Sequence, residues 1–243
     1  MIPTFETKRL PDGFIHRGGE VTRLEAFVDA AFAFAMTLLV ISLNSVPSDI
    51  PAMLAALKGV PAFAMSFVQI MIFWSAHANW SRRLGLDDGP SQRLSLVLVF
   101  LMLIYVYPMK ILFGAFFAWI THDWLPPVAS IHNLDDLKAM FVLYGIAFGT
   151  LSLCMAALYR QALRSPVTPP LEADEIVLVR CEIVRWFYAV ALAAVSMLFA
   201  LLLPDDVPNW LAGMPGMVYA LMALTGALVK RYARRARAAQ TVG

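Results

Sequence analysis

A carboxylate, a guanidinium and an aromatic ring stand at the start of the first long apolar run of the chain. Arg23 directly precedes the run Leu24–Leu43, Phe27 and Asp29 lie in its opening turns, and no charge follows Asp29 within that run. A charged side chain inside an apolar helix is costly unless it is paired, and it usually serves a function. Asp29 is therefore a candidate functional residue, and it requires a polar partner.

Helical geometry divides this first run into distinct faces. At 100° per residue, one face combines apolar side chains with a guanidinium at its start and a single hydroxyl, and Asp29 points roughly 120° away from it. The residues on or beside that face are Arg23, Phe27, Phe34, Thr37, Leu38 and Ile41. Periodicity alone leaves open whether this face contacts lipid, packs in the core or lines a pathway.

A second polar set lies in the next apolar run. Trp74 and His77 are three residues apart, so on a helix they share a face, and both can donate hydrogen bonds. In a helix hairpin they would lie level with Arg23 and Asp29. The sequence predicts either a polar network of these four residues or a simple belt of interfacial side chains.

Motifs of enzymes are missing from the sequence. It has no HExxH, no Gly-x-Ser-x-Gly, no glycine-rich phosphate loop and no cluster of Cys and His. Its four histidines are scattered. We therefore expect no enzymatic activity, no bound metal and no cofactor.

The composition is that of an integral membrane protein. Hydrophobic residues make up 60% of the 243 and charged residues only 15%, with a mean hydropathy of +0.70. A soluble domain carries about 25% charged residues. This chain could not cover its apolar surface in water.

Six apolar segments predict an all-α fold of six transmembrane helices, because each approaches the roughly 20 residues that a bilayer requires. In the third segment, Pro108 and Lys110 predict a kink or an end, with Ile111–Trp119 as an interfacial piece. The segments are Leu24–Leu43, Leu57–Trp80, Leu94–Phe117, Ala139–Tyr159, Ile183–Leu203 and Leu211–Val229.

Lys and Arg residues fall unevenly between the two sides of this topology. Sixteen lie on the side of the termini and three on the other, which predicts cytoplasmic termini. We divide the chain into an N-terminal segment (1–22), a transmembrane domain (23–230) and a basic tail (231–243). The tail is expected to contact anionic lipids and not nucleic acid. Cys154 and Cys181 are expected to be reduced packing residues.

The first two segments resemble the transmembrane protein 175 family of potassium channels. In that family an RxxxFSD motif opens helix 1, and a Trp and a His follow on helix 2. Arg23, Phe27 and Asp29 stand at the motif spacing, with Trp74 and His77 after them. The six-helix layout and the basic C-terminus are also similar to prokaryotic members that contain one repeat.

The resemblance implies a homotetramer in the cell inner (plasma) membrane, in which helix 1 of each subunit lines a pore for K+. It places the constriction at Phe34, a selectivity threonine at Thr37, and further rings at Leu38 and Ile41. Two positions depart from the family pattern. Val28 replaces the motif serine, and Phe34 replaces a Leu or Ile.

Three functions remain open at this point. The first is a potassium-selective leak channel whose apolar constriction replaces a filter of backbone carbonyls. The second is a proton-coupled transporter that uses Asp29 and His77 as a relay. The third is a membrane scaffold that conducts nothing.

Overall fold

The computed structural model describes residues 9–41, 48–204, 206 and 208–240, and these are α-helical apart from turns and short connections. Within these residues, five helices are long and apolar enough to cross a membrane. They are α1 (Arg23–Ile41), α3 (Val60–Leu84), α4 (Gly89–Ile120), α5 (Leu134–Ala162) and α6 (Ala173–Leu201). The prediction of an all-α membrane protein is confirmed, with five such helices.

Two helices, a short one before α3 and the long α4, differ from the predicted segments. The apolar α2 (Ile50–Leu57) precedes α3 and buries none of its residues. Helix α4 runs through Pro108 for 32 residues, so of the kink or end predicted there, the end does not occur. Ile111–Trp119 belongs to the same helix. Apolar surroundings offer no other partners to backbone N–H and C=O groups, which favours continuing the helix past one missing donor.

The sixth predicted segment, Leu211–Val229, does not form one long α-helix. The chain instead forms α7 (Asn209–Ala212), α8 (Met214–Met217), a 3₁₀ helix (Val218–Leu224) and α9 (Thr225–Gln240). Gly213, Pro215 and Gly216 fall together here, and both residue types weaken a helix interior. The boundary predicted for the basic tail, at residue 231, lies inside α9.

The long helices pack in two connected groups. Helix α1 lies against α3 and α4, whereas α5 packs along α6 and joins the first group mainly through α4 and also through α3. Only one side of α1 enters the core. Its buried residues are Val28, Phe32, Ala35 and Leu39.

The connection before α4 is tied to the far end of α5. Gln161 Nε2 and Ser165 Oγ each donate a hydrogen bond to Asp88 Oδ2, at 2.9 and 2.8 Å. Partial burial raises the pKa of Asp88, but these hydrogen bonds to the ionised carboxylate outweigh it, so the pKa lies below its ordinary value. The loop is thereby held in place by a charged acceptor.

Residues Arg9–Glu20, which we call the N-terminal strap, cross the end of the bundle at which α1 begins. Phe14 and Ile15 bury their side chains there. Gly85 ends α3 in the left-handed conformation, with φ of 58°. It lies directly under the backbone of Arg17. A side chain at Gly85 would separate the strap from α3.

Candidate functional site

The first turn of α1 is fixed by a reciprocal cap. The backbone N–H of Glu25 donates to Thr22 Oγ1 at 3.1 Å, and the N–H of Thr22 donates to Glu25 Oε2 at 2.9 Å. This capping box satisfies two backbone donors that a helix start would otherwise leave unpaired. The carboxylate of Glu25 is therefore used to cap the start of α1. Asp29 is the next acidic residue along the helix.

Asp29 has a partner on the neighbouring transmembrane helix. Trp74 Nε1 donates to Asp29 Oδ1 at 2.8 Å, which joins α1 to α3 across the interface. The indole is half-buried and the carboxylate is exposed on the protomer surface. A hydrogen bond to an ionised acceptor is stronger than a neutral one. This contact therefore fixes the rotation of α1 relative to α3.

His77 makes a different contact from the one expected. Its side chain is 2% exposed, and Nε2 lies 2.9 Å from Ser95 Oγ on α4. No hydrogen bond joins His77 to Asp29 in the part of the chain that the structure describes. Among the four residues, Asp29 and Trp74 thus form a pair between α1 and α3. His77 pairs instead with Ser95, between α3 and α4, and Arg23 belongs to neither pair.

Arg23 and Phe27 lie at the surface of the protomer. Phe27 is exposed, and the guanidinium of Arg23 has no hydrogen-bond or ion-pair partner among the described residues. Both line an open cavity of about 550 Å³ between the start of α1 and α4, together with Asp87 and Gln92. These two motif residues are therefore available to a neighbouring molecule.

The four residues of the expected ion pathway lie on the side of α1 that faces away from the core. Phe34 is 54% exposed and Ile41 67%. Thr37 is exposed, with its hydroxyl donating to Ala33 O at 3.0 Å, and Leu38 is half-buried. Helix α1 thus presents an apolar stripe with one hydroxyl oxygen to whatever lies beside the protomer.

Val28, at the serine position of the motif, has the opposite environment. Its side chain is fully buried in the core. A hydroxyl there would need a hydrogen-bond acceptor, whereas a valine packs without one. The departure from the motif therefore suits the packing of α1 against its neighbours.

Sequence reasoning missed a group of charged residues under the N-terminal strap. Arg17 and Glu175 form an ion pair with both side chains fully buried. Arg83 donates to Asp12 Oδ2 at 2.8 Å and to Tyr159 Oη at 2.9 Å. These paired residues lie far apart in the sequence, so no local pattern predicts that they meet. A signal was available only for Glu172 and Glu175, which show the capping-box spacing at the start of α6.

Acidic and sulfur ligands do not gather into a metal site. Across residues 9–41, 48–204, 206 and 208–240, no group of three or more His, Cys, Asp or Glu side chains is placed to hold a metal ion. Cys154 and Cys181 are both buried free thiols. The candidate site is therefore the exposed face of α1 and the contacts that orient it.

A sequence model of the family described as "Endosomal/lysosomal potassium channel TMEM175" matches residues 23–108. A "Potassium channel" of Marivirga tractuosa is 30% identical over 212 residues, which cover 84% of this chain and 85% of the relative. The chain belongs to the TMEM175 family. The matched region contains the motif residues, the Trp74 and His77 positions and the whole of α1.

Solved structures of TMEM175 proteins share the fold. A threonine-to-alanine variant of the potassium channel MtTMEM175, in complex with a nanobody–MBP fusion, superposes with a TM-score of 0.78. It is 25% identical, and the match covers 94% of this chain and 100% of that one. A lysosomal potassium-selective channel TMEM175 homologue from Chamaesiphon minutus has a TM-score of 0.55 at 20% identity, covering 85% and 96%.

Proposed function

We propose that this chain is one subunit of a homotetrameric, potassium-selective leak channel, with α1 of each subunit lining a central pore. The observation that carries the proposal is the division of α1 into two faces. Phe32 and its neighbours pack in the core, while Phe34, Thr37 and Ile41 face outward. The relatives that carry the names of potassium channels support the same function.

Selectivity in this channel rests on an apolar constriction. Four Phe34 side chains around one axis form the narrowest ring, which opposes ions by excluding water. Potassium sheds its water at a lower cost than sodium, so a narrow apolar passage favours K+ without binding it tightly. Thr37 adds a ring of hydroxyl oxygens one turn away, and Leu38 and Ile41 continue the apolar wall.

The contacts between Asp29 and Trp74 and between His77 and Ser95 hold α1 and α3 in the orientation that this pore needs. A proton relay between Asp29 and His77 would require a hydrogen-bonded route between them. Each side chain instead bonds to a different partner. The geometry therefore favours a conducting pore over the proton-coupled transporter, and a scaffold needs no such exposed, partly polar helix face.

We place the channel in the plasma membrane with both termini in the cytoplasm and the chain around residues 209–229 as its sixth crossing. Sixteen Lys and Arg residues against three support this orientation. The cationic residues of α9 would then meet anionic headgroups, where each is worth about 1 kcal/mol. They are Lys230, Arg231, Arg234, Arg235 and Arg237.

Topology is tested with reporter fusions before Thr4 and after Thr241. We expect both fusions to report the cytoplasm, because the basic segments next to the membrane resist translocation. A fusion inserted near Trp124, between α4 and α5, serves as the control and should report the opposite side. If either terminus lies outside, the proposed orientation fails.

Conduction is tested with purified protein in liposomes. Potassium flux in the absence of a proton gradient, and larger than sodium flux under the same conditions, supports the channel. Flux that strictly requires a proton gradient would support the transporter. Absence of flux from protein that is correctly assembled would support the scaffold.

A further inference from the structure

The buried ion pair under the N-terminal strap connects the two groups of helices. Arg17 Nη1 donates to Glu175 Oε1 at 2.7 Å, and Arg17 Nη2 donates to Glu175 Oε2 at 2.6 Å. Both side chains are fully buried. This is the two-pronged geometry that a guanidinium, and not an ammonium, can satisfy.

The remaining donors of Arg17 are also used. Its Nε donates to Pro169 O at 2.8 Å, Nη2 to Pro170 O at 3.1 Å and Nη1 to Arg83 O at 3.1 Å. Glu175 accepts in addition from the backbone N–H of Ile15 at 2.8 Å. A single side chain thus joins the strap, the end of α3, the loop before α6 and the first turn of α6.

Backbone contacts hold the strap against α3 as well. The N–H groups of Arg17 and Gly18 both donate to Arg82 O, at 3.0 and 3.1 Å. A Cβ atom on Gly18 would lie 2.8 Å from Ser81 O. The strap therefore lies as close to α3 as its backbone allows, and Glu20 at its end is followed within three residues by α1.

Helix α1 itself packs on α3 and α4. The strap extends its attachment to α6, in the other group of helices. A buried ion pair is a weak source of stability, because the cost of removing both charges from water offsets their attraction. In some proteins such a pair imposes one geometry.

We propose that Arg17 and Glu175 are positioning residues of the pore. Held between α3 and α6, they set the position and tilt of the start of α1. Because α1 is a continuous helix, its position and tilt determine where the Phe34 ring lies, about 16 Å along the helix axis. The proposal rests on the proposed function for the identity of the pore, but the anchoring of α1 can be measured without conduction.

The test uses the full-length assembled protein with Glu175→Gln, which keeps the size of the side chain and removes its charge. We expect amide hydrogen exchange across residues 17–29 to accelerate by about tenfold, because the buried guanidinium loses its charged acceptor. In liposomes we expect the ratio of potassium to sodium flux to fall by at least about threefold, since a shifted α1 no longer sets one constriction radius.

Arg9→Gln is the matched control. It removes the ion pair between Arg9 and Glu172 in the same strap, but those side chains are 53% and 47% exposed, so exchange and flux ratio should stay at wild-type values. Arg17→Lys keeps the positive charge but cannot form the two parallel hydrogen bonds that the guanidinium makes to Glu175. It should change the flux ratio in the same direction as Glu175→Gln, and it decides the question if Glu175→Gln yields no assembled protein.

Two results would overturn the proposal. One is faster exchange confined to the start of α6, with residues 17–29 unchanged. The other is a wild-type flux ratio in both variants when the wild-type protein conducts. A wild-type protein that conducts no ions would overturn the proposed function alone, and the exchange measurement would still decide whether the pair anchors α1.

Discussion

Phe32 and Phe34 are two residues apart on one helix, and the structure gives them opposite environments. Phe32 is 1% exposed inside the protomer and Phe34 is 54% exposed outside it. Phe34→Ala should therefore widen the constriction and raise cation flux. Lowering the barrier by about 1.4 kcal/mol already raises the flux about tenfold. Discrimination between potassium and sodium should weaken at the same time, as measured by flux into liposomes.

Phe32→Ala is the matched control for that substitution. It removes the same ring from the buried face, so we expect a loss of about 3–5 kcal/mol in stability and no gain in flux. Phe34→Ala should lose far less, since its ring is half-exposed. If assembled Phe34→Ala protein shows wild-type flux and selectivity, Phe34 does not line the pathway.

Thr37 contributes a hydroxyl oxygen to the same face. Its proton is directed to Ala33 O, which leaves the oxygen lone pairs outward. Thr37→Val keeps the volume and removes that oxygen, so the ratio of potassium to sodium flux should change by more than the total flux. Thr150→Val removes an equivalent hydroxyl on α5, bonded to Ile146 O at 2.7 Å, and should leave both quantities unchanged. Equal effects of the two substitutions would contradict the assignment.

At the scale of the helices, the bond between Trp74 and Asp29 should couple α1 to α3. We expect Trp74→Phe and Asp29→Asn each to lower the midpoint of thermal unfolding. A charge-assisted hydrogen bond is worth about 1.5–3 kcal/mol when buried, and the exposure of Asp29 places the loss near or below the lower end of that range. The double variant should lose less than the sum, because both substitutions break one contact.

Trp80→Phe controls for the loss of an indole N–H. Trp80 is fully buried on the same helix, and its Nε1 has no hydrogen-bond partner among the described residues. Its substitution should therefore be additive with Asp29→Asn. Strict additivity of Trp74→Phe with Asp29→Asn would show that their contact contributes nothing.

Apolar runs predicted five of the long helices because a membrane-spanning helix needs a long, nearly uncharged segment, which a sequence displays directly. Around residues 211–229 the apolar run does not form one continuous α-helix. Total hydropathy there is high, but Gly213, Pro215 and Gly216 interrupt the α-helix. Pro108 had the opposite outcome, since α4 continues through it. A helix tolerates one proline where the neighbouring turns remain helical. It does not tolerate three residues of low helix propensity within four positions, as at Gly213, Pro215 and Gly216.

Residue spacing along one helix placed the stripe of α1 and brought Trp74 near Asp29, because both depend only on helical periodicity and antiparallel neighbours. It could not place Ser95 beside His77, since that contact depends on how α4 rotates against α3. The pairing of Arg17 with Glu175 spans 158 residues. It follows from the strap crossing the bundle, which no local pattern in the sequence specifies.

At the scale of the whole molecule, a single protomer cannot enclose an ion pathway with α1. Its stripe of Phe34, Thr37 and Ile41 is open on one side, and a pore built from one helix per subunit needs several copies around a common axis. Cyclic symmetry places the same residue of each copy at the same height, so every stripe residue becomes a ring.

The protein should therefore assemble as a tetramer in the membrane. Native mass measurement in mild detergent or in lipid particles should give four copies of the 26.9 kDa chain. Val97→Arg on α4 provides a further check. Val97 is 45% exposed on the surface of the protomer, and a charge in that place should reduce insertion or assembly without touching the α1 stripe. A stable monomer that still conducts potassium would require a pathway within the protomer, and α1 would then not line the pore.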